Sequence, residues 1–389
     1  MNQREDPSQT PEVFHVVIAG GGVAGLEAAF ALRELMGDRV GLTLLAAGQD
    51  FVYRPLAIGE PFNRSHAKRY PLSALAAEAG AELVNDSLAE VDAERREVRT
   101  VGGQTLAYDG LLVGVGATLE PPPGHVTGFD DAHSDELLHG LVQDIEGGYL
   151  RRLVIVVSAP MAWPLPAYEL ALMASERAWD MQVDLDVSLC TPEPTPLSIF
   201  GEQASRALSE LLGERRIDVI TSAYCDVPEN KKVVVHPGDR TLEADRIVMF
   251  PRLRGPGLPG LPQDGMGFIP IDEYGQVRGV QRVWAAGDAT DFPIKQGGIA
   301  AQVADTAARS IAAEAGVTMD QRPFVPVVEG VLMTGGTPRY LRGRPTSPDS
   351  PGESVFTEVM RGSAPPKIAA RYLGPHLPDQ GPATVGASS

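Results

Sequence analysis

The stretch "VVIAGGGVAGLEAAFAL", Val16–Leu32, sets three consecutive glycines between an apolar run and an alanine-rich one. Val13 to Ala19 is β-branched and apolar, which predicts a buried strand, and the residues after the glycines predict a helix. Gly20, Gly22 and Gly25 therefore fall on a strand-to-helix turn in G-x-G-x-x-G spacing. There the first glycine permits the tight turn, the second lets a diphosphate approach the backbone, and the third lets helix and strand pack closely. The helix N-terminus adds unpaired N–H groups and a partial positive charge. A glycine-rich turn without a ligand is the plain alternative, and its place between a strand and a helix near the chain start favours a dinucleotide.

Working outward, Val40 to Leu45 predicts a second strand. Its end ordinarily carries an acid for the adenosine ribose, but here stand Ala46 and Ala47, leaving Gln49, Asp50 or backbone groups. The segment "YDGLLVGVGATLEPPPG" (108–124) reads as an apolar strand with a proline-rich exit, a domain crossing. From Arg151 the pattern restarts in "RRLVIVVSAPMAWPLPAYELALMAS". It gives a strand at Leu153 to Val157, a turn, a helix from about Ala167 and a further strand near 183–190. This is a duplication at domain scale. A Gly-Asp turn and a long alanine-rich helix from near Gly298 follow in 281–316.

The expected fold is therefore α/β, with two Rossmann-like dinucleotide-binding domains. The first is discontinuous (13–120 and 266–322) and the second is inserted into it (121–265). Residues 1–12 form a disordered N-terminus. Residues 323–389 form a modest strand-and-helix cap and tail whose last regular piece is "KIAARYL".

Composition narrows the function classes. With 389 residues the chain exceeds one compact core, and 43% apolar content can fill two. A formal net charge of -18 opposes sequence-independent attraction to nucleic acid or anionic lipid. No signal-peptide pattern and no integral membrane segment is read, so the expected location is cytoplasmic. His125, His133, His139 and His236 lack ligand spacing and no metal site is expected. Cys190 and Cys225, 35 positions apart, read as packed thiols.

Three motifs in order, "GGGVAG" (20–25), "YDGLLVGVGA" (108–117) and "VWAAGDAT" (283–290), resemble the pyridine nucleotide-disulfide oxidoreductase superfamily. "FVYRPL", "EPF", "GFIPID" and "FPIKQGGIAAQ" look most like its branch of sulfide:quinone oxidoreductases and type II NADH dehydrogenases.

The resemblance implies FAD, its diphosphate held at Gly20, Gly22 and Gly25, with Gly116 from the second motif also at the cofactor. Asp288, given room by Gly287, would hydrogen-bond the ribityl chain. Backbone N–H groups of Gly298, Ile299 and Ala300 would stabilise charge on the flavin pyrimidine edge. Arg54 and Pro55 would lie near the isoalloxazine. Lys295 is the catalytic candidate, a cation able to raise the flavin potential, with a solvated surface lysine as the equal alternative.

Departures from the pattern shape the functional expectation. Where a second glycine turn should stand the chain has "SAPMAWPLPAYE". Pro160, Pro164 and Pro166 lack an N–H, and Trp163 fills the space of a glycine. The turn cannot grip a nicotinamide dinucleotide in the usual way. Glu193 is the one ribose acceptor at the end of the next strand, so NADH is favoured over NADPH if either binds. The "AWPLP" segment could equally form an apolar wall. No cysteine pair suits a redox relay. The expectation is an FAD-dependent oxidoreductase that moves two electrons from NADH or a small reduced substrate to a quinone-like or redox-protein acceptor. The alternative is a flavin-binding subunit without catalysis. Oligomeric state stays open, a homo-oligomer included.

Overall fold

The computed structural model describes residues 13–160, 163–344, 352–359, 365–378 and 380. The N-terminal 1–12 and the pair 161–162 lie outside the described residues.

Two five-stranded sheets share one plan. In the first, the order is Val283–Ala285, Gly110–Val113, Phe14–Ala19, Val40–Leu45, Ala81–Val84, every neighbouring pair parallel. In the second it is Thr127–Gly128, Arg246–Phe250, Arg152–Val157, Asp186–Cys190, Ile217–Ile220, again parallel throughout. The inner strands, such as Gly110–Val113 and Arg152–Val157, are near-continuous apolar runs because parallel sheets are covered on both faces. Each central strand is flanked by its next strand on one side and a much later one on the other. The chain thereby opens a crevice at the carboxyl end of that strand.

Helix Val23–Met36 follows the first central strand and packs on helix Gly297–Glu314 through buried alanines, among them Ala24, Ala28, Ala304 and Ala308. The helix after the second central strand, Leu165–Asp180, begins two residues earlier than Ala167. An antiparallel meander, Tyr224–Glu229, Lys232–His236 and Arg240–Glu243, covers the second sheet over a small core with Val154, Val156 and Met249. Where the chain crosses between the sheets, Thr118–Leu119 pairs antiparallel with Leu253–Arg254.

The C-terminal part corrects the expected strand-and-helix cap. Its described residues form a three-stranded antiparallel sheet, Val328–Leu332, Arg339–Arg344 and Glu353–Glu358. "KIAARYL" (367–373) is not an α-helix. Pro365 and Pro366 precede it, and its N–H groups go elsewhere: Ile368 N–H to Tyr53 Oη at 2.8 Å, and those of Arg371, Tyr372 and Leu373 to the Glu27 carboxylate. The cap seats closely on the second domain, since a Cβ at Gly343 would lie 2.7 Å from Phe200 Cα.

Candidate functional site

A cavity of about 710 Å³ runs along the carboxyl edge of the first sheet and reaches the start of helix Leu165–Asp180. Its floor is the glycine turn. Gly20 has φ +117°, and a Cβ there would lie 2.2 Å from Gly114 O. At Gly25 a Cβ would meet Gly20 O at 1.8 Å, so helix and turn touch backbone to backbone. A Cβ at Gly22 would meet nothing within 4 Å, which leaves that residue's face open to the cavity. These three environments match the three separate demands of a dinucleotide turn, and the residues present fit the diphosphate of FAD.

Asp288 and Gly287 form another part of the wall, with Gly287 at φ +74° and its α-carbon side against Ala24 and Ala300. Burial pushes the Asp288 carboxyl above its usual range, against the pull of Lys295. Lys295 is itself buried rather than a surface residue. Its Nζ donates to the Thr290 carbonyl and lies 4.0 Å from the centroid of the Phe268 ring. Desolvation lowers its pKa to about 8, with Asp288 opposing that shift. Arg54, Pro55, Asp50 and Gly116 also face the cavity. Arg54 Nη1 pairs with Asp131 Oδ1 at 3.3 Å across the cavity mouth.

The geometry places four of the expected cofactor residues differently. Gln49 is exposed and off the cavity wall, with its carbonyl taken by Leu72 N–H at 2.8 Å. Asp86 and Ser87 stand on the cavity wall, a polar pair that sequence reasoning missed. The long helix starts at Gly297, where Gln296 acts as the N-cap. The N–H groups of Ile299 and Ala300 are engaged by Gln296 Oε1 and O, each at 2.9 Å, and are not free for a ligand. Gly298 is buried behind the wall, while Gln296, Gly297 and Ala300 reach the cavity.

At the far end lies a buried ion pair that the sequence did not single out. Lys367 Nζ is 2.6 Å from Glu169 Oε1, both side chains being almost wholly buried. The ammonium also donates to the Pro55 carbonyl at 2.9 Å, and Met333 N–H donates to the same Glu169 oxygen at 2.8 Å. Glu169 Oε2 has no partner among the described residues, although Glu169 borders the cavity. Burial raises the pKa of Glu169 and lowers that of Lys367, each opposed by the other's charge. A carboxylate with one unpaired oxygen at a cavity wall can take up or release a proton there. The one signal was a lone acid in the apolar run "AYELALM".

The described residues of the second turn do not offer the backbone donors with which such a turn holds a nicotinamide dinucleotide. Pro160, Pro164 and Pro166 offer no N–H. Trp163 lies edge-on to Phe200 at 5.8 Å and lines the flavin-side cavity with Leu165 and Pro166. Trp163, Leu165 and Pro166 of this segment thus face inward. Glu193, the expected ribose acceptor, is 3% exposed and accepts from Tyr168 Oη at 2.6 Å and Thr191 Oγ1 at 3.1 Å. Neither cysteine borders the cavity. Among the described residues no helix is long and apolar enough to cross a membrane.

Comparison with known proteins agrees with this arrangement. The profile of the pyridine nucleotide-disulphide oxidoreductase family matches residues 14–310. A sulfide-quinone reductase of Aquifex aeolicus is 27% identical over 260 residues, 62% of this chain and 59% of that protein. An NADH dehydrogenase-like protein of Mycobacterium tuberculosis is 28% identical over 298 residues, 70% of this chain and 72% of the relative. The solved sulfide:quinone oxidoreductase of Aquifex aeolicus shares the fold with a TM-score of 0.78 at 22% identity, covering 89% of this chain and 87% of that one. The putidaredoxin reductase of a reductase–putidaredoxin complex aligns with a TM-score of 0.61 at 19% identity, covering 85% and 81%.

Proposed function

The chain belongs to the pyridine nucleotide-disulphide oxidoreductase family and is a flavin enzyme with FAD as its cofactor, and from that premise we propose a two-electron oxidoreductase that works without a cysteine relay. Its donor is a small reduced substrate, with NADH as the competing donor, and its acceptor is quinone-like or a redox protein. The bound flavin supplies hydride and electron chemistry, and the protein supplies access, orientation and charge. The observation that carries this reading is a single cavity joining the glycine turn to the Glu169–Lys367 pair.

Within it, Gly20, Gly22 and Gly25 hold the diphosphate and Asp288 takes the ribityl hydroxyls. Lys295, desolvated and near Asp288, sets a local positive field. Trp163, Leu165, Pro166 and Ile368 give the apolar side against which a planar acceptor lies. Glu169 Oε2 exchanges the protons that accompany two-electron reduction of such an acceptor, and Lys367 holds the carboxylate in place. The blocked second turn favours one other reading, a flavin-binding subunit without turnover.

Anaerobic mixing of the FAD-loaded protein with NADH, with NADPH and with small thiol, sulfide and hydroquinone donors tests the proposal. Loss of the oxidised-flavin absorbance with one of them, and its return on adding a soluble quinone, is expected. An unbleached flavin with every donor would leave the non-catalytic subunit.

A further inference from the structure

The two cysteines of the chain, 35 positions apart, meet in the second domain on the side of its sheet away from helix Leu165–Asp180. Cys190 ends strand Asp186–Cys190 and pairs in register with Ile220. Cys225 lies in the first strand of the meander, opposite Val235. The backbone draws the segments together: Ala223 N–H donates to Thr191 O at 3.0 Å, and Ser222 N–H to Glu193 O at 2.7 Å. Both side chains enter one small apolar cluster with Val154, Val156 and Val235. There the two thiols share one packing environment. Cys190 is fully buried, and Cys225 is half-buried and open to a small solute.

That shared environment divides the labour between the thiols. The neighbouring Cys190 lowers the pKa of Cys225, while Cys225 and burial raise that of Cys190. The more accessible sulfur is thus the one more easily ionised, and the thiolate is the reactive form. Packing alone would need a small apolar group at either position, not two sulfurs from different sheets in one cluster.

We propose that Cys190 and Cys225 form an oxidisable dithiol that a hydroperoxide closes into a disulfide. The Cys225 thiolate attacks a peroxide oxygen, so that an S–O bond forms, the O–O bond breaks, and the departing oxygen leaves protonated as water or an alcohol. The Cys190 sulfur then attacks Cys225 sulfur. An S–S bond forms, the S–O bond breaks, and hydroxide leaves and takes the Cys190 proton as water. Two thiols and one hydroperoxide become one disulfide, one alcohol or water, and one water. The bond staples the meander to the parallel sheet and does not depend on how the flavin cavity is used.

The test uses purified FAD-loaded protein, reduced, desalted, exposed to stoichiometric hydrogen peroxide and then alkylated in denaturant. The expected product has lost both alkylatable thiols and about 2 Da of mass, yields a Cys190–Cys225 linked peptide, and returns to two thiols with dithiothreitol. Cys190→Ser should stop at a dimedone-trapped sulfenic acid on Cys225, and Cys225→Ser should keep Cys190 alkylatable. Oxidation confined to Cys225 in the wild type, retention of both thiols, or disulfides only between chains would each overturn the proposal.

Discussion

Lys367 Nζ lies 2.6 Å from Glu169 Oε1 although 198 positions separate them in the chain. Each charge is tolerable in the interior only because of the other, since an uncompensated buried charge costs about 3–5 kcal/mol. Glu169→Leu and Lys367→Met are each expected to lose about that much stability in urea unfolding, and the double variant to regain most of it. Turnover with any donor that bleaches the flavin should stay depressed in the double variant, because the proton-exchanging carboxylate is gone. Double-variant stability no better than either single one would show that the charges do not compensate each other.

Gly22 and Gly25 should separate cofactor binding from folding. A side chain at Gly22 meets no protein atom within 4 Å, so Gly22→Val is expected to unfold within a few degrees of wild type yet emerge colourless. At Gly25 a Cβ would come within 1.8 Å of Gly20 O, so Gly25→Val should lower the unfolding temperature as well as the flavin content. Stoichiometric FAD on purified Gly22→Val would remove the diphosphate from this turn.

Glu27 clamps the segment that delivers Lys367. Its carboxylate accepts from Arg371, Tyr372 and Leu373 N–H groups at 2.8, 3.0 and 2.7 Å. Glu27→Ala leaves these donors without an acceptor, at about 1–3 kcal/mol for each one that stays buried. Limited proteolysis should then cut within residues 365–378 several-fold faster than in wild type, with Glu27→Gln in between. Equal cleavage rates would mean that Tyr53 and the surrounding packing hold the segment alone.

The parts legible in sequence are those in which the partners are close along the chain. Gly20, Gly22 and Gly25 form one turn, and the second β-α unit repeats the period of the first, so both sheets could be expected from local pattern. Glu27, Glu169 and Lys367 were not legible, because their partners stand 344 to 346 and 198 positions away. The only trace was an acid in each of two apolar helical runs, which signals a buried charge without naming its partner. The regular piece expected at "KIAARYL" does not form for a similar reason: its N–H groups bind a distant carboxylate and phenol. Gln49 and Asp50 differ because the strand Asp50–Tyr53 begins between them and turns only the second toward the cavity.

Glu193 should leave a pH signature on stability. Burial pushes its carboxyl up to about 7 from an ordinary 4.5, although Tyr168 and Thr191 hydrogen bonds pull the other way. Between those values the folded chain keeps a proton that the unfolded chain releases. The group's contribution is therefore complete below about pH 4.5 and is lost as pH rises through 7, a change of about 3 kcal/mol in order of magnitude. Glu193→Gln has no such titration. The free-energy difference between variant and wild type should move in the variant's favour from about pH 5 to 7 and level off above about pH 8. Urea unfolding of both proteins across that range measures it, and a difference independent of pH would mean that Glu193 is ionised in the folded chain as readily as in the unfolded one.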